Sequence, residues 1–264
     1  LHIVAPTVWA WKEKRAKYLA KFCDNLFVLL PFEKKYFVPH GINSKYIGHP
    51  LLEKIKVIKK IKNNNKKKNI SIFPGSRLAE IQNHLEKILV CLCEYKNVKE
   101  YQFIVVAVDN YECIIKKIVN KFKDKIFIKI VKASMHKSST FQNSYIAIAV
   151  SGTITLELAI SLIPMIVVYK LNIFTYLILK MMVKVKYISL INIIFSKKII
   201  PELIQFGFNK KKFHKKLKKI LNNKKNYDRQ INYFKKARKK LMIKNRNPCL
   251  VAADSIEKIL KKKL

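Results

Sequence analysis

Residues 146–170, "IAIAVSGTITLELAISLIPMIVVYK", carry a single charge, Glu157, in their first 24 positions. An apolar stretch of this length has the size of a transmembrane helix. Ser, Gly, Thr and Pro interrupt it, however, and a glutamate near the centre of a bilayer would cost about 2.5–3.5 kcal/mol. Gly152 and Pro164 divide the stretch into a strand, a turn, a helix and a second strand. We therefore predict a buried strand–turn–helix–strand unit rather than a membrane span.

Apolar strands alternate with amphipathic helices on both sides of this stretch. The predicted strands between residues 69 and 169 are 69–73, 102–108, 126–131, 145–150 and 165–169. The predicted helices are 78–95, 111–122 and 154–162, with a loop and short helix over 134–144. Strands separated by helices pair in parallel, and their continuous apolar runs indicate burial on both faces. The pattern predicts an α/β fold with a doubly wound parallel sheet.

The first fifty residues repeat this alternation on a smaller scale. The predicted strands are 1–6, 25–32 and 45–50, and the predicted helices are 11–23 and 31–37, the second with Pro31 in its first turn. Residues 54–68 then hold eight lysines and no acid. This change of composition predicts a domain boundary near residues 55–68.

The composition narrows the classes of function. A net charge of +39 suggests nucleic acid or an anionic membrane as a partner, but only five of the 55 cationic residues are Arg. Readers of nucleic acid rely on Arg for bidentate contacts, and the abundance of Lys, Asn and Ile is also what A/T-rich codons produce. A Lys-driven nucleic-acid-binding module stays an alternative. The five cysteines are odd in number and predict neither a disulfide framework nor a metal site.

Two glycine-containing motifs follow strands, at the sheet edge where ligands of doubly wound folds bind. They are "FPGSR" at 73–77 and "VSGT" at 150–153. In each, backbone N–H groups at the start of a helix can approach a phosphate closely. Arg77 could contact a phosphate or form a surface salt bridge, and Glu157 could accept ribose hydroxyls or complement the helix dipole. Neither motif is a P-loop or a GxGxxG fingerprint.

The order of these motifs resembles the lipid-A-disaccharide synthase family. The resemblance covers about residues 2–205 and includes "APTVWAWKEKR", "LPFEKKYF", "YIGHPL", "FPGSRLAEI", "VSGTITLELA" and "YISLINII". It implies a GT-B architecture of two Rossmann-like domains. It also implies an inverting hexosyl transfer, without metal or cofactor, from UDP-2,3-diacylglucosamine to 2,3-diacylglucosamine 1-phosphate (lipid X). The products would be lipid A disaccharide 1-phosphate and UDP.

The resemblance also implies which residues contact the substrate. They are Gly75, Ser76, Arg77, Ser151, Gly152, Thr153, Glu157 and Asn192. Within this set Gly152 and Thr153 would line the diphosphate, Glu157 would hold the ribose, and Arg77 would contact a phosphate. The family has Pro before the equivalent of Asn192, where this chain has Ile191.

Applied to domains, the resemblance implies three parts. Residues 1–55 would be the remainder of an incomplete amino-terminal acceptor domain, 56–205 the UDP-sugar-binding domain, and 206–264 Lys-rich helices packing back on both. The family's general base lies on an acidic segment before the "VWAW" motif, so we expect it upstream of Leu1. The expectation is then an inactive isolated chain, which leaves a complementary amino-terminal polypeptide, a homo-oligomer or an inactive split-gene remnant as alternatives.

The resemblance places the chain on the cytoplasmic face of the inner membrane as a peripheral protein. One segment bears on this directly. Residues 170–187, "KLNIFTYLILKMMVKVKY", are strongly apolar, with lysines at both ends and in the middle. They predict either a packed helix or a surface that touches membrane lipid, with Lys facing phosphate and apolar side chains facing acyl chains.

Overall fold

The computed structural model describes residues 1–55, 67–183, 185–243 and 246–261. The chain divides into two compact units. The smaller comprises Leu1–Lys56, Leu177–Lys186 and Lys235–Leu264, and the larger comprises Val57–Tyr176 and Tyr187–Phe234.

The elements alternate as a doubly wound protein requires. The strands are β1 His2–Ile3, β2 Asn25–Val28, β3 Asn43–Tyr46, β4 Lys68–Phe73, β5 Tyr101–Ala107, β6 Ile128–Lys132, β7 Ser144–Val150, β8 Met165–Tyr169 and β9 Glu202–Ile204. The α-helices are α1 Arg15–Leu19, α2 Leu51–Lys54, α3 Leu78–Cys93, α4 Glu112–Asn120, α5 Ala133–Asn143, α6 Thr153–Ile160, α7 Ile173–Met182, α8 Leu190–Ile194, α9 Lys210–Leu221, α10 Lys224–Leu241 and α11 Pro248–Lys261.

The larger unit is built on a six-stranded sheet in the order β6-β5-β4-β7-β8-β9, with every pair parallel. One side of β4 and β5 packs into the main core through Ile70, Ile72, Phe103 and Val105, against α3 and α4. The central strands β4 and β7 are neighbours although they are not consecutive in sequence. Their carboxyl ends therefore meet at one edge, where the two glycine motifs follow them.

Residues 146–170 form the predicted strand–turn–helix–strand unit. Its residues make β7, α6 and β8, with Gly152 and Pro164 outside the regular elements. Glu157 lies on α6, where its side chain is largely buried. No α-helix within the described residues is long and apolar enough to cross a bilayer.

The smaller unit contains a parallel sheet in the order β1-β2-β3. Two predictions fail here. The helix predicted over 31–37 is a pair of short 3-10 turns, because the buried Glu33 carboxylate accepts the N–H groups of Leu29 and Leu30 and the indole N–H of Trp9. The first predicted strand is two exposed residues rather than a buried strand.

One further segment differs from expectation in the structure. Residues 133–143 form a full helix, α5, rather than a loop with a short helix. For residues 170–187 two alternatives were open, and the absence of any buried residue in α7 disfavours the ordinary packed helix. Part of the lysine-rich boundary predicted at 55–68 lies outside the described residues. In the carboxyl-terminal region, α9 belongs to the larger unit and α11 to the smaller one.

Candidate functional site

A cavity of about 350 Å³ opens at the carboxyl ends of β4 and β7. It brings together seven of the eight predicted site residues. The lining comprises Phe73, Pro74, Gly75, Ser76, Arg77, Glu80, Val106, Val108, Ala133, Lys137, Val150, Ser151, Gly152, Thr153, Ile154 and Glu157. The cavity has the concave form and mixed lining of a small-molecule site at a sheet edge.

The turn after β4 is closed by a carboxylate from the following helix. Glu80 accepts the Ser76 N–H at 2.9 Å and pairs with the Arg77 guanidinium at 3.0 Å. Gly75 has φ +118°, and a Cβ there would lie 2.5 Å from Glu80 Cβ. Only glycine lets the chain pass this close to Glu80 in that backbone conformation. The Arg77 side chain remains 81% exposed, so it can reorient toward a ligand.

The turn after β7 keeps its amide groups available. Gly152 has φ +152° and ψ −167°, a region that side-chain-bearing residues rarely adopt. The hydroxyl of Thr155 donates to the Gly152 carbonyl at 2.8 Å, which fixes the turn from its helix side. Thr153 and Ile154 are the first two residues of α6, so their N–H groups have no acceptor within the helix. An anion at this position would accept hydrogen bonds from both N–H groups, and the helix dipole would stabilise its negative charge.

Glu157 lies one helical turn further along α6 and is held by a cation from another element. The Lys137 ammonium on α5 lies 2.5 Å from Glu157 Oε2, and the Glu157 side chain is only 15% exposed. Lys137 thus holds the Glu157 carboxylate in the wall of the cavity. Lys137 and Glu80 are absent from the sequence predictions. Among 50 lysines a single Lys carries no signal, whereas an acid three residues after Arg77 could have been noticed.

Asn192, the eighth predicted residue, does not line the cavity. Its side chain is fully buried on α8. Its Oδ1 accepts the N–H groups of Ile199 and Ile200 at 2.8 and 2.9 Å, and its Nδ2 donates to the Ile200 carbonyl and to Glu202. These bonds use the full capacity of the amide. A contact of Asn192 with substrate would require one of them to break, so in this structure the residue shapes the segment before β9.

Beneath the first turn of α3, a buried histidine ties the helix to the end of β8. His84 Nδ1 bonds the Glu80 carbonyl at 2.6 Å, and Nε2 accepts the Lys170 N–H at 2.7 Å. This assignment makes the ring neutral. Burial lowers the pKa of His84, and the stacked Tyr169 ring has its phenol pKa raised by the same burial. His84 thereby fixes the position of the turn that carries Glu80.

His49, which follows the third strand of the smaller unit, makes hydrogen bonds to backbone groups of that unit. Its Nδ1 accepts a hydrogen bond from the Leu51 backbone N–H at 3.3 Å. The backbone N–H of His49 donates to the Leu241 carbonyl at 3.1 Å. Burial lowers the pKa of its imidazole. Within the described residues no group of three or more His, Cys, Asp or Glu side chains is arranged to hold a metal ion.

Known proteins resemble this chain in sequence and in fold. The sequence model of the lipid-A-disaccharide synthetase family matches residues 1–254. The lipid-A-disaccharide synthase of Rickettsia prowazekii is 38% identical over 97% of this chain and 69% of its own length. The enzyme of the same name from Rickettsia felis is 38% identical over 100% of this chain and 69% of its own length.

Among solved structures, a UDP-GlcNAc 2-epimerase from Neisseria meningitidis bound to UDP-GlcNAc has a TM-score of 0.60 at 12% identity. The match covers 90% of this chain and 62% of the epimerase. At this identity the likeness concerns the fold alone. It confirms the predicted α/β fold of the GT-B type, with parallel sheets.

Proposed function

Because the chain belongs to the lipid-A-disaccharide synthase family, we propose that the cavity of its larger unit binds the UDP end of a UDP-2,3-diacylglucosamine donor. The family consists of glycosyltransferases of lipid A biosynthesis. The transfer breaks the bond between the anomeric carbon and UDP. It forms a bond to the 6-oxygen of 2,3-diacylglucosamine 1-phosphate, whose hydroxyl proton passes to a base.

The observation that carries this proposal is that one cavity contains both a turn with available amide groups and a largely buried carboxylate. The Thr153 and Ile154 N–H groups belong to the first turn of α6, and Glu157 follows on the same helix; all three residues line the cavity. The diphosphate would accept from the amides, and the ribose hydroxyls would donate to Glu157. As the bond to UDP breaks, negative charge grows on the diphosphate, and the same amides stabilise it more strongly than in the ground state.

Arg77 would add a cationic contact to the diphosphate, beside the amide groups of α6. Its guanidinium lies at the cavity but is engaged by Glu80. An incoming diphosphate competes with Glu80 for this highly exposed side chain, and exposed ion pairs are weak. Asn192 would act on the same site through the segment that it holds rather than by a direct contact.

Calorimetry with UDP and ADP tests the nucleotide assignment on the full chain. We expect UDP to bind and ADP to bind at least tenfold more weakly, because the site is proposed to recognise the smaller pyrimidine nucleotide. Binding that is equal for both nucleotides, or absent for both, would contradict the proposal. A Lys-driven nucleic-acid-binding module would instead show no preference for UDP and a steep dependence on salt. The family assignment does not favour that alternative.

The membrane part of the proposal rests on α7. Phe174, Leu177, Ile178 and Met181 recur at helical spacing on one face and are 73%, 51%, 54% and 84% exposed. An apolar stripe of this kind on a strongly cationic chain matches an anionic lipid surface. The proposed location is the cytoplasmic face of the inner membrane, where diacylated substrates reside.

Sedimentation with vesicles tests this surface. We expect the chain to bind vesicles that contain phosphatidylglycerol, and Phe174→Ser with Met181→Ser to weaken binding at least tenfold, since full burial of each side chain contributes about 1.5–3 kcal/mol and a tenfold change needs about 1.4 kcal/mol. Phe127→Ser is the matched control, because Phe127 is 62% exposed in a different part of the chain. Equal losses for the control and the α7 variant would show that the binding is not localised to α7.

A further inference from the structure

A small pocket lies in the larger unit at the amino ends of β8 and β9. Its volume is about 150 Å³, and Pro201 in its wall directly precedes β9. Gln230 on α10 also lines it and holds the backbone N–H and carbonyl of Met165, the first residue of β8. Because every strand of this sheet is parallel, the pocket is at the end of the sheet opposite to the proposed UDP cavity.

Four cationic side chains converge on this pocket from three elements. Lys198 comes from the segment before β9, Lys216 and Lys219 come from α9, and Arg229 comes from α10. Among the described residues no Asp or Glu lines the pocket, and none of the four cations belongs to a salt bridge. The pocket therefore concentrates positive charge without a counter-ion from the described part of the chain.

This concentration of charge has an energetic cost. Elsewhere on α9 a lysine does find an acid, since Lys210 pairs with Glu94. At the pocket, burial and the neighbouring ammonium groups of Lys198 and Lys219 lower the pKa of Lys216. Like charges on one helix face are destabilising, and repulsion of this kind falls when an anion binds between the cations. The arrangement thus favours occupation by an anion.

The remaining lining suits a phosphate group. Arg229 Nη2 donates to the Lys198 carbonyl at 3.1 Å, which holds the guanidinium at the pocket and leaves its other N–H groups as donors. Ile199 and Ile220 are buried and form apolar walls, beside which a charged hydrogen bond is stronger than in bulk water. Gln230 spends its amide on Met165, so the cations supply the recognition.

We propose that this pocket, the α9–α10 pocket, is a second ligand site that binds the phosphate group of a phosphomonoester. The phosphate oxygens would accept from the Lys216 and Lys219 ammonium groups and from the Arg229 guanidinium. A phosphorylated small molecule in solution and a phosphorylated lipid headgroup both offer this chemistry. The pocket shares no lining residue with the UDP cavity. The proposal is therefore independent of the proposed function.

Nuclear magnetic resonance on the isotope-labelled full chain tests the site, with glycerol 3-phosphate as the probe. We expect saturable shifts in the amide signals of the second half of α9 and of the segment before β9. Acetate, which carries one charge and two oxygens, should bind at least fivefold more weakly. Absent shifts in these segments, or equal shifts in all the lysine-rich helices, would overturn the proposal.

Two double variants of the same helix localise the binding. Lys216→Gln with Lys219→Gln should weaken glycerol 3-phosphate at least tenfold, because it removes two charged hydrogen-bond donors. Lys211→Gln with Lys212→Gln removes the same charge from exposed positions in the first turn of α9 and should change the affinity less than twofold. The first variant should not lower the melting temperature, since it relieves repulsion. Equal losses in the two variants, or undiminished binding in the first, would contradict the proposal.

Vesicles distinguish the two sources of the phosphate. Phosphatidic acid carries a phosphomonoester and phosphatidylglycerol a phosphodiester, so the two are compared at equal surface charge. A preference for phosphatidic acid that the Lys216→Gln, Lys219→Gln variant loses would support the proposal and identify a lipid headgroup as the ligand. Equal binding to both vesicles, with glycerol 3-phosphate still bound, would support a soluble ligand. A preference for phosphatidic acid that survives in this variant would count against the pocket.

Discussion

The turns after β4 and β7 both place a glycine before a helix, but their neighbouring carboxylates are held in different ways. Glu80 folds back on its own turn, where it occupies the Ser76 N–H and the Arg77 guanidinium. Glu157 is held by Lys137 from a separate helix, and its own turn keeps free first-turn amides. The first turn is therefore closed by contacts within five residues. The second is open and depends on tertiary structure.

This difference separates two roles that the motifs alone do not distinguish. Both motifs contain a glycine, a hydroxyl and a helix start, so both predict phosphate binding. In the structure, the turn after β7 offers unoccupied donors, while the turn after β4 offers a cation that must first leave Glu80. The diphosphate should therefore depend mainly on the turn after β7, with Arg77 as a secondary contact.

The largest effects that test the comparison between the two turns come from replacing each glycine with alanine. In Gly75→Ala the new Cβ would lie 2.5 Å from Glu80 Cβ, and the backbone φ is positive, so we expect a loss of about 2–4 kcal/mol in the free energy of unfolding. In Gly152→Ala no atom of the residues that the structure describes lies within 4 Å of the new Cβ, and we expect only the strain cost of about 1–3 kcal/mol. Urea unfolding measures both. A larger loss for Gly152→Ala would show that the turn after β4 is not the tightly closed one.

The next largest effect concerns ligand recognition by Glu157. Glu157→Gln should weaken UDP by roughly 1.5–3 kcal/mol, the range for a hydrogen bond to a charged group. Inorganic diphosphate should not be weakened, because the proposed contact is to ribose. Calorimetry on both ligands makes the measurement, with Glu86→Gln, an exposed acid on α3, as the control. If diphosphate loses affinity as strongly as UDP, the assignment of Glu157 to ribose is wrong.

The dependence of stability on pH tests how the turn after β4 is supported. Burial lowers the pKa of His84 below its ordinary value of 6.5, so the unfolded chain binds a proton at a higher pH than the native chain does. The stability that neutral His84 contributes is complete above pH 6.5 and is lost as the pH falls from there toward the lower native pKa. Protonation would also place an N–H of the ring against the Lys170 N–H.

We expect His84→Gln to flatten this decline in the free energy of unfolding. A residual slope should remain, because burial lowers the pKa of His49 as well. Urea unfolding of both proteins at several pH values between about 5 and 8 makes the measurement. An unchanged slope in His84→Gln would show that His84 is not the group that titrates.

The smallest effect is expected at Glu80 and has the opposite sign. Glu80→Gln removes a negative charge from the cavity and weakens the hold on Arg77. Diphosphate should bind about two- to fivefold more tightly, in line with the 0.2–1 kcal/mol typical of exposed ion pairs. The gain should shrink in high salt, which calorimetry at two salt concentrations would reveal. Weaker binding would instead show that the Glu80 carboxylate is needed to shape the turn.

Much of the larger unit could be predicted from sequence because its patterns are local. The strand runs ending at Phe73 and Val150 and the interruptions at Gly152 and Pro164 predict the strand and turn positions that the structure contains. They also place the two glycine motifs at one sheet edge, since parallel strands share their carboxyl ends. The helix predicted over 31–37 failed because Glu33 makes contacts to Trp9, 24 residues earlier, which no local pattern contains.

The sequence by itself determined the alternation of strands and helices, the family and seven of the residues that line the cavity, because apolar periodicity and motif order are properties of neighbouring residues. Tertiary structure alone decided how those residues are used. It paired Glu157 with Lys137, buried Asn192 in a saturated network and exposed the apolar face of α7. Each of these outcomes depends on which elements pack together, and a hydrogen bond or ion pair between distant residues requires a distance that the order of residues does not specify.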